Sequence, residues 1–239
     1  MAYTSLMDTA PPKSFKHLEF LIHIFVVVLL VSNLVAAKLT KIGPLTFSGA
    51  QMLFPITYIF GDIFTEVYGY AASRRAIWMG FLASVLLTAL GGFAVLLPPA
   101  PSFHNQEAYA TIFGVIPRVI ASSLIAYWAG EFANSFTLAK LKLLTNGKYL
   151  WTRTVGSTVV GQAVDTCLVI TLLFAGTQPV GTIVSLILSG YVFKVVYEVL
   201  ATPLTYKIVS FLKRSEGIDA FDRSTNFNPF RGADWPSAG

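Results

Sequence analysis

Residues 154–174 (TVGSTVVGQAVDTCLVITLLF) and 180–202 (VGTIVSLILSGYVFKVVYEVLAT) decide the fold of this chain. Each run is long and apolar enough to cross a bilayer as a helix, which takes about 20 such residues. Yet the two runs contain Gln162, Asp165, Lys194 and Glu198. Because an ionisable group in hydrocarbon costs about 2.5–3.5 kcal/mol on insertion scales, such side chains face a bundle interior or a water-filled cavity. Their presence indicates a binding site or a pathway inside a membrane protein.

The composition of the whole chain supports this interpretation. Of its 239 residues, 54% are hydrophobic and 12% are charged, and the mean hydropathy is +0.65. Because so few charges cannot cover the surface of a soluble domain of this size, the bilayer must act as the solvent for most of it. The first apolar run follows a polar stretch and has only a weak cleavage pattern, so we expect it to be retained as a helix. The single cysteine, Cys167, leaves no intrachain disulfide.

The pattern of apolar runs predicts an all-α membrane protein with six transmembrane helices. The predicted spans cover residues 18–37, 47–68, 77–97, 115–139, 154–174 and 180–202, in a domain of residues 1–214. Pro55 interrupts the second span, and a proline within the membrane frees a backbone carbonyl that neighbours or water must satisfy. We therefore expect a broken or kinked helix beside a cavity there. The polar tail, residues 215–239, is predicted to be cytoplasmic and extended or disordered, with partial docking through its aromatic residues.

Basic residues collect in the loops on one side of these predicted spans. They lie before the first span and after the second, fourth and sixth, at Lys13, Lys16, Arg74, Arg75, Lys140, Lys142, Lys148, Arg153, Lys207, Lys213 and Arg214. The positive-inside rule then predicts that both termini are cytoplasmic. Lys38 and Lys41 run against this bias, and we expect them at the outer interface or at the outer mouth of a cavity. The net charge of +5 follows from the loops, so no nucleic-acid partner is expected.

Polar residues inside the apolar runs recur at helical spacing. Asp62 and Glu66 lie four residues apart, whereas Gln162 and Asp165 lie three apart. Residues with these spacings share one helix face, so several helices each present one polar stripe to a common interior. The predicted substrate-binding residues are Asn33, Asp62, Glu66, Tyr127, Glu131, Asn134, Gln162, Asp165, Tyr191, Lys194 and Glu198.

Two of these acidic residues, Glu66 and Glu131, also have a structural interpretation. Both are predicted near the cytoplasmic ends of their helices, where a loop cation would neutralise them. The candidate cations are Arg74 and Lys140. A structural ion pair would account for these glutamates as well as a role in binding would.

The polar residues of the last two spans have structural alternatives too. Lys194 and Glu198 would neutralise each other as an i,i+4 pair on one helix. Gln162 and Asp165 would be explained by a hydrogen bond between helices. Small residues recur in the same part of the chain, and they permit close helix packing either within the chain or in a homodimer.

The aromatic residues supply a further ingredient of a binding site. Tyr127 and Tyr191 share helix faces with the polar stripes. A flat heterocyclic ligand binds between an aromatic platform and carboxylate or amide partners for its hydrogen-bonding edge. The stripes therefore favour a flat, polar small molecule.

The motifs of the main catalytic classes are missing from the sequence. It contains no Gly-x-Ser-x-Gly, no His-Glu-x-x-His and no Walker loop. Asp62 and Asp165 could form the aspartyl dyad of an intramembrane hydrolase, but the supporting Gly-x-Gly-Asp pattern has Ile59 in place of its first glycine. His104 has no second ligand at metal spacing, so neither a metal nor a cofactor is expected. A carrier, a membrane subunit of a larger machine or a receptor-like scaffold remains.

Several motifs together are similar to those of one family. They are Ser32-Asn33, residues 49–69 (GAQMLFPITYIFGDIFTEVYG), Arg74-Arg75, residues 161–166 (GQAVDT), residues 191–195 (YVFKV) and residues 225–230 (TNFNPF). In this combination the chain resembles the vitamin uptake transporter family, whose characterised bacterial members are queuosine precursor transporters. The likeness extends over nearly the whole chain.

The resemblance implies a function and a fold. It implies a six-helix inner-membrane importer of the 7-deazaguanine bases preQ0 and preQ1, which feeds salvage of the tRNA nucleoside queuosine. It further implies a fold like the substrate-binding components of energy-coupling-factor transporters, working without their ATPase. The alternative is a substrate-binding subunit for another vitamin-like small molecule that needs an external energising module.

Overall fold

A computed structural model describes residues 15–35, 38–42, 45–113 and 117–230, without the side chains of residues 39–48, 51–52 and 117–120. The first 14 residues of the predicted domain and the last part of the predicted tail, residues 231–239, lie outside the described residues. The elements are α1 (Leu18–Val35), β1 (Leu39–Ile42), β2 (Leu45–Ser48), α2 (Gly49–Ile63), a π-helix (Phe64–Tyr68), α3 (Tyr70–Leu96), α4 (Gln106–Phe113), α5 (Pro117–Leu144), α6 (Leu150–Phe174) and α7 (Val180–Glu216).

Four helices are long and apolar enough to cross a membrane, namely α1, α3, α6 and α7. They coincide with the first, third, fifth and sixth predicted spans, and they make the chain a multi-pass membrane protein. The second predicted span falls on the end of β2, α2 and the π-helix, and the fourth falls on α5. Helix α7 continues without a break to Glu216, so it is longer than the predicted span by about four turns at 3.6 residues per turn.

Besides its helices and loops, the described chain contains one short hairpin, which the all-α prediction omitted. Strands β1 and β2 pair antiparallel, with Leu39 opposite Ser48 and Ile42 opposite Leu45. The sequence between them is Gly43-Pro44, a turn signal that ends a helix rather than continues it. Hydropathy alone does not register this signal, because the flanking residues are apolar. Lys38 is exposed at the start of the hairpin, and the side chain of Lys41 lies outside the described residues.

Helices α5 and α6 form the most extensive helix pair, and α7 packs on α6. Helix α2 contacts both α5 and α7, whereas α3 packs on α1 and α5. The interior that the polar stripes share is therefore bounded by α2, α5, α6 and α7. Aromatic side chains fill the neighbouring core, where the rings of Phe25 and Phe64 meet edge to face at 5.6 Å.

Two glycines allow α5 and α6 to approach closely. A Cβ atom built on Gly161 would lie 2.7 Å from Asn134 Cβ and 3.0 Å from the Gly130 carbonyl oxygen. A Cβ atom on Gly130 would lie 2.7 Å from Asp165 Cβ. Side chains at these glycines would force the two helices apart. At this crossing the small residues serve packing within the chain, while the homodimer stays a prediction.

A buried charge network joins four helical elements at the end of the bundle that we call the basic end, where α5 ends and α6 begins. We call it the Glu66 network; it comprises Glu66, Lys142, Arg153, Lys213 and Asp219. The guanidinium of Arg153 donates to both carboxylate oxygens of Glu66, at 3.1 and 2.7 Å. Lys213 Nζ donates to the same carboxylate at 2.6 Å. Since Glu66 and Arg153 are both buried, each depends on the other for its charge balance.

The remaining members of the network connect it to the start of the tail. Lys142 Nζ donates to the Glu66 backbone oxygen at 2.6 Å and to Asp219 Oδ1 at 2.5 Å. Partial burial by itself would raise the pKa of Asp219, but hydrogen bonds from Lys142 and Lys213 outweigh it and lower that pKa below its ordinary value. Asp219 therefore contributes its stabilisation in the ionised form, and that contribution is lost as the pH falls through its lowered pKa.

The tail docks along the start of α3. Both carboxylate oxygens of Asp222 accept the Tyr70 backbone N–H, at 3.1 and 3.0 Å, and so satisfy an N–H at the first turn of α3. The preceding Gly69 has φ +87°, which a residue with a side chain rarely adopts, and a Cβ atom there would lie 3.2 Å from Asp222 Oδ1. Glycine at this position thus serves both the backbone turn and the approach of the tail.

Aromatic residues hold the rest of the described tail. Tyr70 Oη donates to the Phe227 carbonyl at 3.1 Å, and Trp78 Nε1 donates to the Pro229 carbonyl at 2.7 Å. The centroid of the Phe227 ring also lies 4.9 Å from the centroid of the Tyr70 ring and 4.1 Å from Lys140 Nζ. Residues 218–230 are thus docked through their aromatic residues, as predicted, and form neither helix nor strand. The expectation of disorder is wrong for this segment because its aromatic side chains and carbonyls find partners on α3 and α5.

We expect Asp222→Ala to destabilise the protein. The substitution leaves the Tyr70 amide buried without an acceptor, which costs about 1–3 kcal/mol. Thermal unfolding of the purified protein in detergent should show a lower midpoint, whereas Glu107→Ala, at an exposed acid on α4, should leave it unchanged. Equal midpoints for Asp222→Ala and the wild type would contradict the docking role of the tail.

We expect Glu66→Gln to destabilise the protein more strongly. It leaves Arg153 buried without its carboxylate, and breaking a buried pair costs about 3–5 kcal/mol. The matched control is Glu19→Gln, which breaks an exposed pair with Arg75 and should cost at most about 1 kcal/mol. Thermal unfolding of both variants measures the difference, and a similar small loss in each would show that the network does not stabilise the bundle.

Candidate functional site

Twelve buried side-chain nitrogen and oxygen atoms have no hydrogen-bond partner in the described part of the chain. Such atoms are few in native proteins, and a concentration of them calls for an explanation. One is Trp128 Nε1, in an aromatic cluster with Trp78 and Phe230. The other eleven belong to what we call the interior polar set: Tyr58, Asp62, Tyr127, Glu131, Asn134, Thr158, Gln162, Thr166 and Glu198.

Helix α5 contributes three members on one face. Tyr127, Glu131 and Asn134 follow each other at spacings of four and three, and all are buried. Neither carboxyl oxygen of Glu131 has a partner. Asn134 Nδ2 donates to Asp62 Oδ1 at 2.8 Å, which links α5 to α2 and leaves Asn134 Oδ1 without a partner.

Helix α2 contributes Tyr58 and Asp62, one turn apart. Asp62 Oδ1 is held by Asn134, and Ser157 Oγ lies 3.5 Å from the same oxygen. Asp62 Oδ2 and the Tyr58 hydroxyl have no partner. The Tyr58 hydroxyl lies at the α5–α6 crossing, 3.0 Å from where a Gly130 Cβ would be. Pro55 lies inside α2, but α2 continues through it to Ile63.

Helix α6 contributes a row of residues spaced by four. Thr158, Gln162 and Thr166 are all buried, and each has one side-chain oxygen without a partner. Asp165, on the same helix, is 8% exposed and forms an ion pair with Lys194 of α7. The predicted hydrogen bond between helices thus takes the form of this ion pair, and Gln162 takes no part in it.

The ion pair between α6 and α7 overturns one structural alternative. In that alternative Lys194 would neutralise Glu198 on its own helix, but its ammonium binds Asp165 across the helix interface. Glu198 is 1% exposed, and both of its carboxyl oxygens lack a partner. A charge on a neighbouring helix can lie nearer than one a turn away, because long side chains on facing helices converge. Glu198 therefore has no structural counter-charge among the described ion pairs.

The predicted cation partners of the glutamates also differ from those in the structure. Glu66 binds Arg153, Lys142 and Lys213 rather than Arg74 or Lys140. Arg74 instead donates to two tail carbonyls, and Lys140 lies over the Phe227 ring. No ion pair in the described chain includes Glu131. Glu66 thus belongs to a structural charge network, whereas Glu131 belongs to the interior polar set.

Three predicted site residues lie apart from the interior polar set. Asn33 on α1 donates to Ser84 Oγ of α3 at 3.3 Å. Tyr191 on α7 donates to the Val159 carbonyl at 3.3 Å. Glu66 lies one turn beyond Asp62, in the charge network of the basic end. The structure brings together Asp62, Tyr127, Glu131, Asn134, Gln162, Asp165, Lys194 and Glu198.

Sequence reasoning missed three members of the set, Tyr58, Thr158 and Thr166. Each lies four residues from a predicted site residue, Tyr58 from Asp62 and both threonines from Gln162. Extending each polar stripe by one turn would have found them. Threonine and tyrosine are common in apolar helices, so their presence alone does not indicate that they face the interior.

The site is rich in hydrogen-bond acceptors and in carboxyl groups. Seven of the eleven unpartnered atoms are carboxyl or amide oxygens, and the other four are hydroxyls. The carboxyls of Asp165 and Glu198 lie within electrostatic range of Glu131. Asp62 and Asp165 each have another partner, Asn134 and Lys194, so they do not pair as an aspartyl dyad. The arrangement is suited to binding a small molecule with several N–H donors.

The comparisons with known proteins agree with a transport role. The family described as "Putative vitamin uptake transporter" matches residues 48–208. A protein of Bacillus subtilis (strain 168) named "Probable queuosine precursor transporter" is 28% identical over 186 residues, which cover 77% of this chain and 81% of that protein. No solved structure matches the chain.

The family match spans α2, α3, α5 and α6, and it covers α7 as far as residue 208. It therefore includes every helix that contributes to the interior polar set. Such a transporter carries its substrate without catalysing a reaction, which agrees with the missing catalytic motifs. The chain is a multi-pass membrane protein, and it belongs to the vitamin uptake transporter family.

Proposed function

We propose that the protein imports queuosine precursors, the 7-deazaguanine bases preQ0 and preQ1, for salvage of the tRNA nucleoside queuosine. The observation that carries this proposal is the interior polar set, which lines a membrane bundle with unpartnered acceptors. The substrate of the proposal comes from the name of the Bacillus subtilis relative. The two together support a purine-like base held between α2, α5, α6 and α7.

The hydrogen-bonding pattern of the base matches the site. A 7-deazaguanine has ring N–H groups and an exocyclic amino group, and a carbon replaces the N7 acceptor of guanine. Such a donor-rich edge suits carboxyl and amide oxygens, the chief unpartnered atoms of the interior polar set. Glu131, Glu198 and Gln162 are the proposed acceptors. A buried polar group gains most from a ligand that supplies its missing partner, because leaving it unpaired is costly.

The cation and the aromatic residues of the site complete the proposed contacts. Lys194 is partly exposed beside Asp165, where its ammonium is available to the ring carbonyl of the base. Tyr58 and Tyr127 are the proposed stacking partners, because both are buried on faces that carry the polar set. Asn33, Glu66 and Tyr191, which have partners in the structure, are proposed to support the site from a distance.

The proposed architecture has six spans in the cell inner membrane. Helix α2 with the π-helix would form the second span and α5 the fourth, since α2 and α5 line the interior polar set together with the apolar helices α6 and α7. The proposed fold resembles the substrate-binding components of energy-coupling-factor transporters. Both termini are proposed to be cytoplasmic, because the basic end contains the Lys and Arg side chains that the positive-inside rule assigns to that side.

A second candidate is a substrate-binding subunit for another vitamin-like molecule that needs an external energising module. The family description, which refers to vitamin uptake in general, supports this second candidate. This candidate predicts copurification with ATPase subunits and no uptake in a host that lacks them. The first candidate predicts uptake by this chain alone.

We expect preQ0 or preQ1 to stabilise the purified protein against thermal unfolding. A ligand that binds the native state at about 100 times its Kd adds about 2.7 kcal/mol to the free energy of unfolding. The measurement is the unfolding midpoint in detergent with each deazaguanine, guanine, adenine and a set of vitamins. Stabilisation by a vitamin and by neither deazaguanine would favour the second candidate.

We expect Asp165→Ala or Lys194→Ala to abolish uptake while the protein still inserts into the membrane. Each substitution removes one half of the ion pair that orients the other at the site. Uptake of labelled base is measured in cells, with the membrane level of each variant quantified. Glu107→Ala on α4 is the matched control and should transport normally. Normal uptake by both site variants would refute the assignment of the site.

A further inference from the structure

The interior polar set contains three carboxyl groups and no basic side chain. Titratable groups lie on every element that bounds it: Tyr58 and Asp62 on α2, Tyr127, Glu131 and Lys142 on α5, Arg153 and Asp165 on α6, Lys194, Glu198 and Lys213 on α7, with Glu66 on the adjoining π-helix. The cations of the Glu66 network are engaged by Glu66 and Asp219. Lys194 is engaged by Asp165.

Three carboxyl groups of the set remain without a counter-charge. Asp62, Glu131 and Glu198 appear in none of the ion pairs between described residues. Asp62 receives a hydrogen bond from Asn134, whereas neither oxygen of Glu131 or Glu198 receives one. These two glutamates are therefore the least compensated carboxyl groups in the interior.

Burial decides the state of these two glutamates. Both are at most 1% exposed, and the two carboxyls lie within electrostatic range of each other. An isolated carboxylate in low dielectric costs so much that the group takes up a proton instead. A like charge nearby adds to that cost. Without a ligand, these surroundings favour the protonated form of both carboxyl groups.

We propose that Glu131 and Glu198 form a proton-exchange site for a cationic ligand. The ammonium of the ligand approaches the pair, the O–H bond of one carboxylic acid breaks, and its proton leaves to solvent. The resulting carboxylate accepts N–H hydrogen bonds from the ammonium. One positive charge enters and one leaves, so the charge of the buried site stays constant. A neutral ligand binds with both protons in place.

This inference rests on the proposed function, and it deepens it by separating the two bases. The 7-aminomethyl base preQ1 is a cation at neutral pH, whereas the 7-cyano base preQ0 has the same ring and no charge. Binding of preQ1 should release a proton, and binding of preQ0 should not. The two bases thus form a matched pair: they share the ring and differ in the charge of the 7-substituent.

The direction of the pH dependence follows from the exchange. The free site holds a proton that its complex with the cation lacks, so raising the pH favours that complex. Linkage sets the limit at about a tenfold fall in Kd per pH unit for one proton released. The Kd of preQ0 should be flat over the same range. A Kd for preQ1 that is equally flat would contradict the exchange.

The direct test counts protons by calorimetry of the purified full-length protein. Each base is titrated in two buffers with different enthalpies of ionisation, and the difference gives the protons released per ligand. We expect about one proton for preQ1 and about none for preQ0. If both bases bind and release the same number, the exchange is refuted while the proposed function stands. If neither base binds, the proposed function itself fails.

The variants Glu131→Gln and Glu198→Gln assign the proton. Glutamine keeps the size of the side chain and cannot release a proton. At least one variant should no longer release a proton on binding preQ1, and its Kd for preQ1 should rise at least tenfold. Its Kd for preQ0 should change less. Glu107→Gln, at the exposed acid of α4, should behave as the wild type. Full proton release in both site variants would overturn the assignment to this pair.

Discussion

The cost of placing a charge in apolar surroundings governs this protein. Within the bundle, each ionisable side chain must find a counter-charge, a hydrogen-bond partner or a proton. The Glu66 network meets this requirement with three cations on one carboxylate. Elsewhere in the interior, Glu131 and Glu198 have no such partners among the described residues. The contrast divides the interior into a part whose charges are balanced and a part whose carboxyl groups have no described partner.

The packing of the helices explains how both parts occupy one small bundle. Close contact of α5 and α6 at Gly130 and Gly161 brings Asn134 and Asp165 together with the polar face of α2. The same approach directs the long side chain of Arg153 to the π-helix, where it meets Glu66. The docked tail adds partners at the basic end. The elements that carry the interior polar set are therefore anchored at the basic end.

Much of this organisation was predictable from residue spacing. The polar stripes at i,i+3 and i,i+4 correctly identified the inward faces of four helices, and Asp62, Glu131 and Gln162 lie in the interior polar set as those stripes predict. Their partners were not predictable. Lys194 lies one turn from Glu198 in the sequence but pairs with Asp165, and Glu66 pairs with Arg153 rather than Arg74. Periodicity gives the face of a helix, but not which neighbour that face meets.

The sequence by itself determined the membrane class, the apolar helices, the polar stripes and the family, because these depend on composition, on local periodicity and on motifs along the chain. Tertiary structure alone decided which carboxyl groups are neutralised, because counter-charges come from helices far apart in sequence. It also decided that the tail docks, since Asp222 and Phe227 find their partners on α3. Burial and charge balance are properties of the packed bundle, and they separate Glu66 from Glu131 and Glu198.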